Sequence, residues 1–289
     1  MTALIDQVAL KKQGRLVCRA PLSTVLATLE ELRTLDQEAE AGVKKWRTIG
    51  CLSIIGVIGG IFLLAQELMV VGGLLLVAGL GTGITGLVKA SQHGRLDVEN
   101  RRYEFVSGVL DYLRRDMAKE EILQLELDIR PHNDRSKFDR KGTAGRWKAS
   151  FFVDPWLVLR GRLLDGTKFS LSMVEKQQDR YRNKRSASGK LKTKYKTKNA
   201  SELIIALRPK PKRYPAAAEV TPPQDCFVAL PPWATVKNLA VADGVLEFRS
   251  TTKAGWHVTT ETSGKRQDAV GWAAGKFVYL YSLLHSSQV

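Results

Sequence analysis

Two uncharged apolar runs dominate the pattern of hydrophobic and polar positions. Residues 49–65 read IGCLSIIGVIGGIFLLA and residues 68–88 read LMVVGGLLLVAGLGTGITGLV, with only Gln66 and Glu67 between them. At about 1.5 Å of rise per residue these make helices of roughly 26 and 32 Å, against a hydrocarbon thickness of about 30 Å. The pattern predicts a transmembrane helical hairpin over 48–88, with spans 49–65 and 68–88. One continuous helix would carry Glu67 into the middle of the bilayer, at a cost that disfavours it. A signal peptide is not expected, because the first run is preceded by a long polar segment and followed by a second run.

Ten of the 24 glycines fall between Gly50 and Gly86. Gly56 and Gly60 form one GxxxG pair and Gly79 and Gly83 another, with Gly72 and Gly86 extending the second stripe. Helices lacking side chains along one face approach closely and gain dispersion contacts that lipid does not offer. These six glycines are the expected helix-packing positions, within the hairpin or between copies of the chain in a homo-oligomer.

Cationic flanks set the expected orientation. Lys44, Lys45 and Arg47 precede the first span, and Lys89, Arg95, Arg101 and Arg102 follow the second. Basic flanks stay inside, so the expected location is a bacterial inner membrane with both termini cytoplasmic. Helical spacing continues into those flanks. Residues 1–47 hold an amphipathic stripe of Leu22, Val25, Leu29, Leu32, Ala39, Val43 and Trp46, broken by Asp36. Residues 89–120 hold Leu96, Tyr103, Val106, Leu110, Leu113 and Met117. Two such arms predict an antiparallel coiled-coil stalk, the competing arrangement being docking of each arm on the rest of the chain.

From residue 121 the period changes to two. Leu123, Leu125, Leu127 and Ile129 alternate with polar residues, as on a half-buried strand. Strands are further predicted over 147–153, closed by Asp154-Pro155, and over 156–164, 168–175 and 202–208, with 132–146 a polar loop. Asp165-Gly166 marks a hairpin turn. Residues 121–208 thus read as a basic antiparallel β domain. A proline-rich linker is predicted over 209–223. Residues 224–289 read as a small β+α subdomain with strands over 226–230, 236–241 and 245–250, a further one over 256–260, and a C-terminal amphipathic helix capped by Asp268. Whether 121–208 and 224–289 form one domain is left open by the pattern. The fold class is α+β, a membrane hairpin with cytoplasmic helical arms and an antiparallel β-rich head.

Charge adds the most specific feature. The chain has 45 Lys plus Arg against 29 Asp plus Glu. Residues 1–120 contribute a net +2, residues 121–214 a net +14 and residues 215–289 none. Within 176–198, KQQDRYRNKRSASGKLKTKYKTK, ten residues are basic and one is acidic. Lys190, Lys192, Lys194, Lys196 and Lys198 alternate with Leu191, Thr193, Tyr195 and Thr197. On a strand they share one face. Arg180, Arg182, Lys184 and Arg185 precede a turn at 186–189, so a hairpin with a cationic strip is predicted. Like charges on adjacent strands repel, and the expected neutralising partners are lipid headgroups or nucleic acid. A solvated edge that discourages sheet-to-sheet pairing is the bland alternative.

Known catalytic signatures are absent from the sequence. No Walker loop, GxSxG or HExxH occurs, and the GxGxxG spacing of Gly81, Gly83 and Gly86 lies inside the second apolar span, where no phosphate cradle is expected. Three scattered cysteines and four scattered histidines give no disulfide framework and no metal-ligand spacing. No cofactor or metal is expected, and an enzymatic role is left open. The leading expectation is a non-enzymatic, oligomeric, membrane-anchored scaffold or adaptor. A pore-forming or channel-like effector with a cytoplasmic sensor is the alternative, and a membrane-anchored enzyme the third.

Overall fold

The computed structural model describes residues 14–94, 99–185, 188–220, 230–258 and 267–286. The chain forms two compact units, one built on Glu30–Asn100 and the other on Gln13–Leu29 with Arg101–Val289. The first is the helical unit and the second is the head.

Helix α1 (Leu22–Ala65) runs without interruption for 44 residues, its part up to Leu29 counted with the head, and α2 (Met69–Gly94) of the helical unit returns after a tight turn. Glu67 adopts φ 66°. Its N–H donates to Leu64 O, and the N–H of Leu68 donates to Leu63 O at 3.1 Å. This is a Schellman cap with a glutamate at the left-handed position that usually takes glycine. Both helices are long and apolar enough to cross a membrane. Their outward side chains are uncovered: Ile55, Phe62 and Val70 are 66%, 63% and 77% exposed.

The two helices meet along glycine. A Cβ at Gly60 would lie 2.8 Å from Leu76 N and 2.9 Å from Gly72 O. At Gly72 it would lie 2.8 Å from Leu64 N, at Gly79 2.9 Å from Val57 Cγ2, and at Gly83 2.8 Å from Ser53 Oγ. Gly86 is slightly less crowded, 3.2 Å from Trp46 O, and Gly56 is in ordinary contact with Gly79. Gly50, Gly59, Gly73 and Gly81 meet nothing within 4 Å. The seam extends past the apolar runs, where Gly94 approaches Val43 and Asn100 Nδ2 donates to Glu40 Oε1 at 2.9 Å.

The head is an eight-stranded antiparallel sheet. Its strands are β1 (Arg15–Pro21), β2 (Ile122–Asp128), β3 (Phe138–Ala144), β4 (Trp147–Arg162), β5 (Lys168–Arg185), β6 (Leu191–Arg208), β7 (Thr235–Ala242) and β8 (Val245–Thr252). The order is β1-β2-β4-β5-β6-β8-β7, with β3 pairing the first half of β4. One face of the inner half is the core: Leu123, Leu125, Leu159, Leu171, Met173, Leu203, Ile205 and Phe248 are all buried. Two helices belong to the head, α3 (Asn100–Leu113, from Arg101 onward) and α4 (Ala269–Ser286). Phe105 of α3 meets Trp156 and Trp256, Phe277 of α4 meets Phe169, and Gly108 lets α3 approach Val270 of α4. Asp268 caps α4 as expected, its carboxylate accepting from the N–H groups of Val270 and Gly271.

Several expectations change. Residues 101–113 do not prolong a coiled-coil stalk, because Tyr103, Phe105, Val106, Val109 and Leu110 are buried within the head. The polar loop over 132–146 contains β3, and residues 15–21 form β1. Asp154-Pro155 does not end a strand: β4 continues through it with a register shift between Pro155 and Leu157. Pro155 sits between the stretch paired with β3 and the stretch paired with β2, where no N–H is required of it. The linker over 209–223 is packed as far as it is described, with Tyr214, Ala217 and Val220 buried. β6 pairs with β8, so 121–208 and the C-terminal segment share one sheet. At 256–258 there is one bridge, from His257 to Asp268. Arg95 and Leu96, and the strand segments expected over 226–229 and 259–260, lie outside the described residues.

The seam generates a prediction. Gly72→Val forces a side chain into the Leu64 backbone and should cost about 1–3 kcal/mol, lowering the melting temperature in detergent by several degrees. Gly73→Val, facing open space, should leave it within about one degree.

Candidate functional site

The β5–β6 ladder decides where the basic residues go. It runs from Lys168↔Arg208 to Arg185↔Leu191 with no register shift. Its inner half buries Phe169, Leu171 and Met173 against Leu203, Ile205 and Leu207, all odd-numbered. Even-numbered residues therefore occupy the opposite face along the whole hairpin. On that face Arg180 pairs with Lys196, Arg182 with Lys194 and Lys184 with Lys192, while Lys198 stands opposite Gln178. Each of the three paired rungs sets two cations side by side, and successive rungs are about 6.8 Å apart.

Two of the expected residues stand elsewhere. Arg185 pairs with Leu191 on the odd-numbered face, and Lys190 precedes β6. Ser186 and Ala187 of the expected turn lie outside the described residues.

No carboxylate occupies the even-numbered positions from Lys176 to Lys184 or from Lys192 to Lys198. The nearest along this face of the hairpin is Glu202, bound by Lys237 at 2.8 Å and Lys176 at 3.5 Å. Burial alone would raise the Glu202 pKa, but those two lysines hold it below the usual carboxylate range.

Beside the cations runs an aromatic track that sequence reasoning missed. Ala149 of β4 pairs with Arg180 and Phe151 with Gln178, which puts Trp147, Ala149 and Phe151 on the same face. The Arg182 guanidinium lies over the Trp147 ring at 4.6 Å, and that of Arg140 over Phe151 at 4.7 Å. Arg140 also pairs with Asp139 at 2.6 Å. The signal was period-2 alternation in 147–153, but that pattern does not say which face continues into the basic hairpin.

The reverse face is different in character. Tyr181 and Tyr195 stand opposite each other there, away from the three cation pairs, with Lys148 Nζ 6.0 Å from the Tyr181 ring centroid. Asp179 accepts from Thr197 Oγ1 and Gln177 Nε2, and Asn183 Oδ1 accepts from Thr193 Oγ1.

Charges are also buried in the core. Arg102 Nη2 is 2.7 Å from Asp154 and 3.3 Å from Glu175, and its Nη1 donates to Asp128 O. Lys137 reaches Asp154 at 3.0 Å and Asp128 at 3.3 Å. Burial alone would raise the Asp128 pKa, but hydrogen bonds from Arg130 and the charge of Lys137 hold it below the usual range. This network ties α3 to β2, β4 and β5. In α4, Lys276 is fully buried, donating to Leu203 O and to Ser250 Oγ at 3.0 Å. Burial pushes its pKa well below the ordinary value, against the weaker pull of Glu202 and Glu247.

A cavity of about 650 Å³ opens among Tyr112, Leu164, Phe277, Val278 and Tyr281. At its edge Asp165 accepts from the hydroxyls of Thr167, Tyr214 and Tyr281 at 2.8, 3.1 and 3.0 Å. His257 does not line it. Among the described residues no group of His, Cys, Asp and Glu could hold a metal ion. In the apolar helices Ser53, Thr82 and Thr85 donate to the carbonyls of Gly50, Ala78 and Gly81 of their own helices.

Lys276 gives a pH-dependent prediction. A depressed lysine pKa means that the unfolded chain binds more protons, so stability rises with pH up to the ordinary value of 10.5. Lys276→Met removes this titration, so the stability of the head should rise less steeply between pH 7 and pH 10 than in the parent protein, as denaturant titrations at the two pH values would show.

No protein-family model, curated protein or solved structure matches the chain.

Proposed function

We propose that the protein is a non-enzymatic, membrane-anchored binding protein whose cytoplasmic head engages an anionic partner through the even-numbered face of β5 and β6. The observation that carries this reading is the cation ladder: three directly opposed pairs without a carboxylate among them. Such a face repels itself, and an anion relieves that repulsion. Anchoring is supported by two helices whose apolar side chains are uncovered on all sides but the glycine seam. Water would make that surface costly, and hydrocarbon would not. Basic residues at both ends of the hairpin favour a head and termini on the cytoplasmic side of a bacterial inner membrane. The outward glycines leave room for assembly into a homo-oligomer as a scaffold.

The experiment is direct. Full-length protein should stay with the membrane after alkaline carbonate washing, and in detergent it should bind heparin. Replacing Lys192, Lys194 and Lys196 with Glu should weaken heparin binding at least tenfold while leaving the melting temperature within a few degrees. Unchanged binding would reduce the ladder to a solvated edge.

A further inference from the structure

We infer that the anionic partner of this face is a single-stranded nucleic acid, its backbone following β5–β6 and its bases stacking on Trp147 and Phe151. The inference rests on the reading of the head as an anion-binding module and deepens it.

Two tracks lie side by side on one face. The cationic track is linear, with Lys184/Lys192, Arg182/Lys194 and Arg180/Lys196 as successive rungs. Rungs are about 6.8 Å apart. One strand laid along the hairpin can set phosphates beside successive rungs, and only unpaired bases are free to turn toward the rings of β4. One strand over, on β4, Trp147 and Phe151 present half-buried rings. A cationic track for the backbone beside aromatic rings for the bases is the arrangement by which single strands are held without regard to sequence. Arg182 lies over Trp147 and Arg140 over Phe151, so each guanidinium swings to a phosphate as a base takes its place on the ring. A lipid headgroup layer would use the cations but has no planar group to stack on those rings. Tyr181 and Tyr195, the tyrosines nearest the lysines in sequence, are on the wrong face to take this part.

The test uses full-length protein in nanodiscs of zwitterionic lipid, with a labelled twenty-nucleotide oligothymidylate as probe and anionic vesicles in parallel. Fluorescence anisotropy should show binding that weakens on the order of a hundredfold between 50 and 200 mM salt. Lys194→Glu with Lys196→Glu should nearly abolish it. Trp147→Ala should weaken it about tenfold, Trp147→Phe should restore most of that loss, and Tyr195→Ala should change nothing. The rescue by phenylalanine separates stacking from misfolding. Vesicle binding without oligonucleotide binding would overturn the inference and leave the anion-binding reading in place. Oligonucleotide binding that ignores Trp147→Ala would also overturn it. Failure to bind either probe would remove both.

Discussion

The register of the β5–β6 hairpin is the constraint on which the head depends. Its inner half places Phe169, Leu171 and Met173 beside Leu203, Ile205 and Leu207 in the core. A slip of one residue between the strands would turn the three of one strand to the face opposite the three of the other. Because the pairing is unbroken over the whole ladder, the same register continues outward and brings cations together on successive even-numbered rungs. Core packing thus holds in place an arrangement that the outer strands would not choose by themselves. The repulsion is borne by the stability of the inner half.

A second constraint acts on the helices. Glycine along the seam lets α1 and α2 touch backbone to backbone, and the bulky residues are left on the outside. In water that distribution would be inverted relative to an ordinary helical pair. In hydrocarbon it is the favourable one, since lipid contacts the large side chains and tight packing supplies the association. Hydroxyls that could disturb it are bonded back to their own helices.

Much of this was legible in the sequence where a period was strong. The apolar runs, the alternation of lysines after residue 190 and the Asp268 cap each carry a local signal. β3 carried none: nearly every residue of FDRKGTA is exposed, so no alternation marks it. β1 carries apolar residues at three consecutive positions, Leu16, Val17 and Cys18, and ends in proline, so no clean alternation marks it. Pro155 reads as a terminator unless it is known that its edge of β4 falls between two partners. Arg102 and Lys276 were invisible for a different reason, since charged residues read as surface until their partners across the fold are in view. The aromatic track needed the pairing of β4 with β5, which no single-strand pattern contains.

Lys276 carries a calorimetric consequence. Where the ambient pH lies between the pKa of this amine in the folded head and that in the unfolded chain, the ammonium must surrender its proton to the solvent as the helix docks. Folding heat then includes the protonation enthalpy of whatever base receives it. Two buffers of equal pH but unequal ionisation enthalpy would accordingly report different apparent heats for one and the same transition.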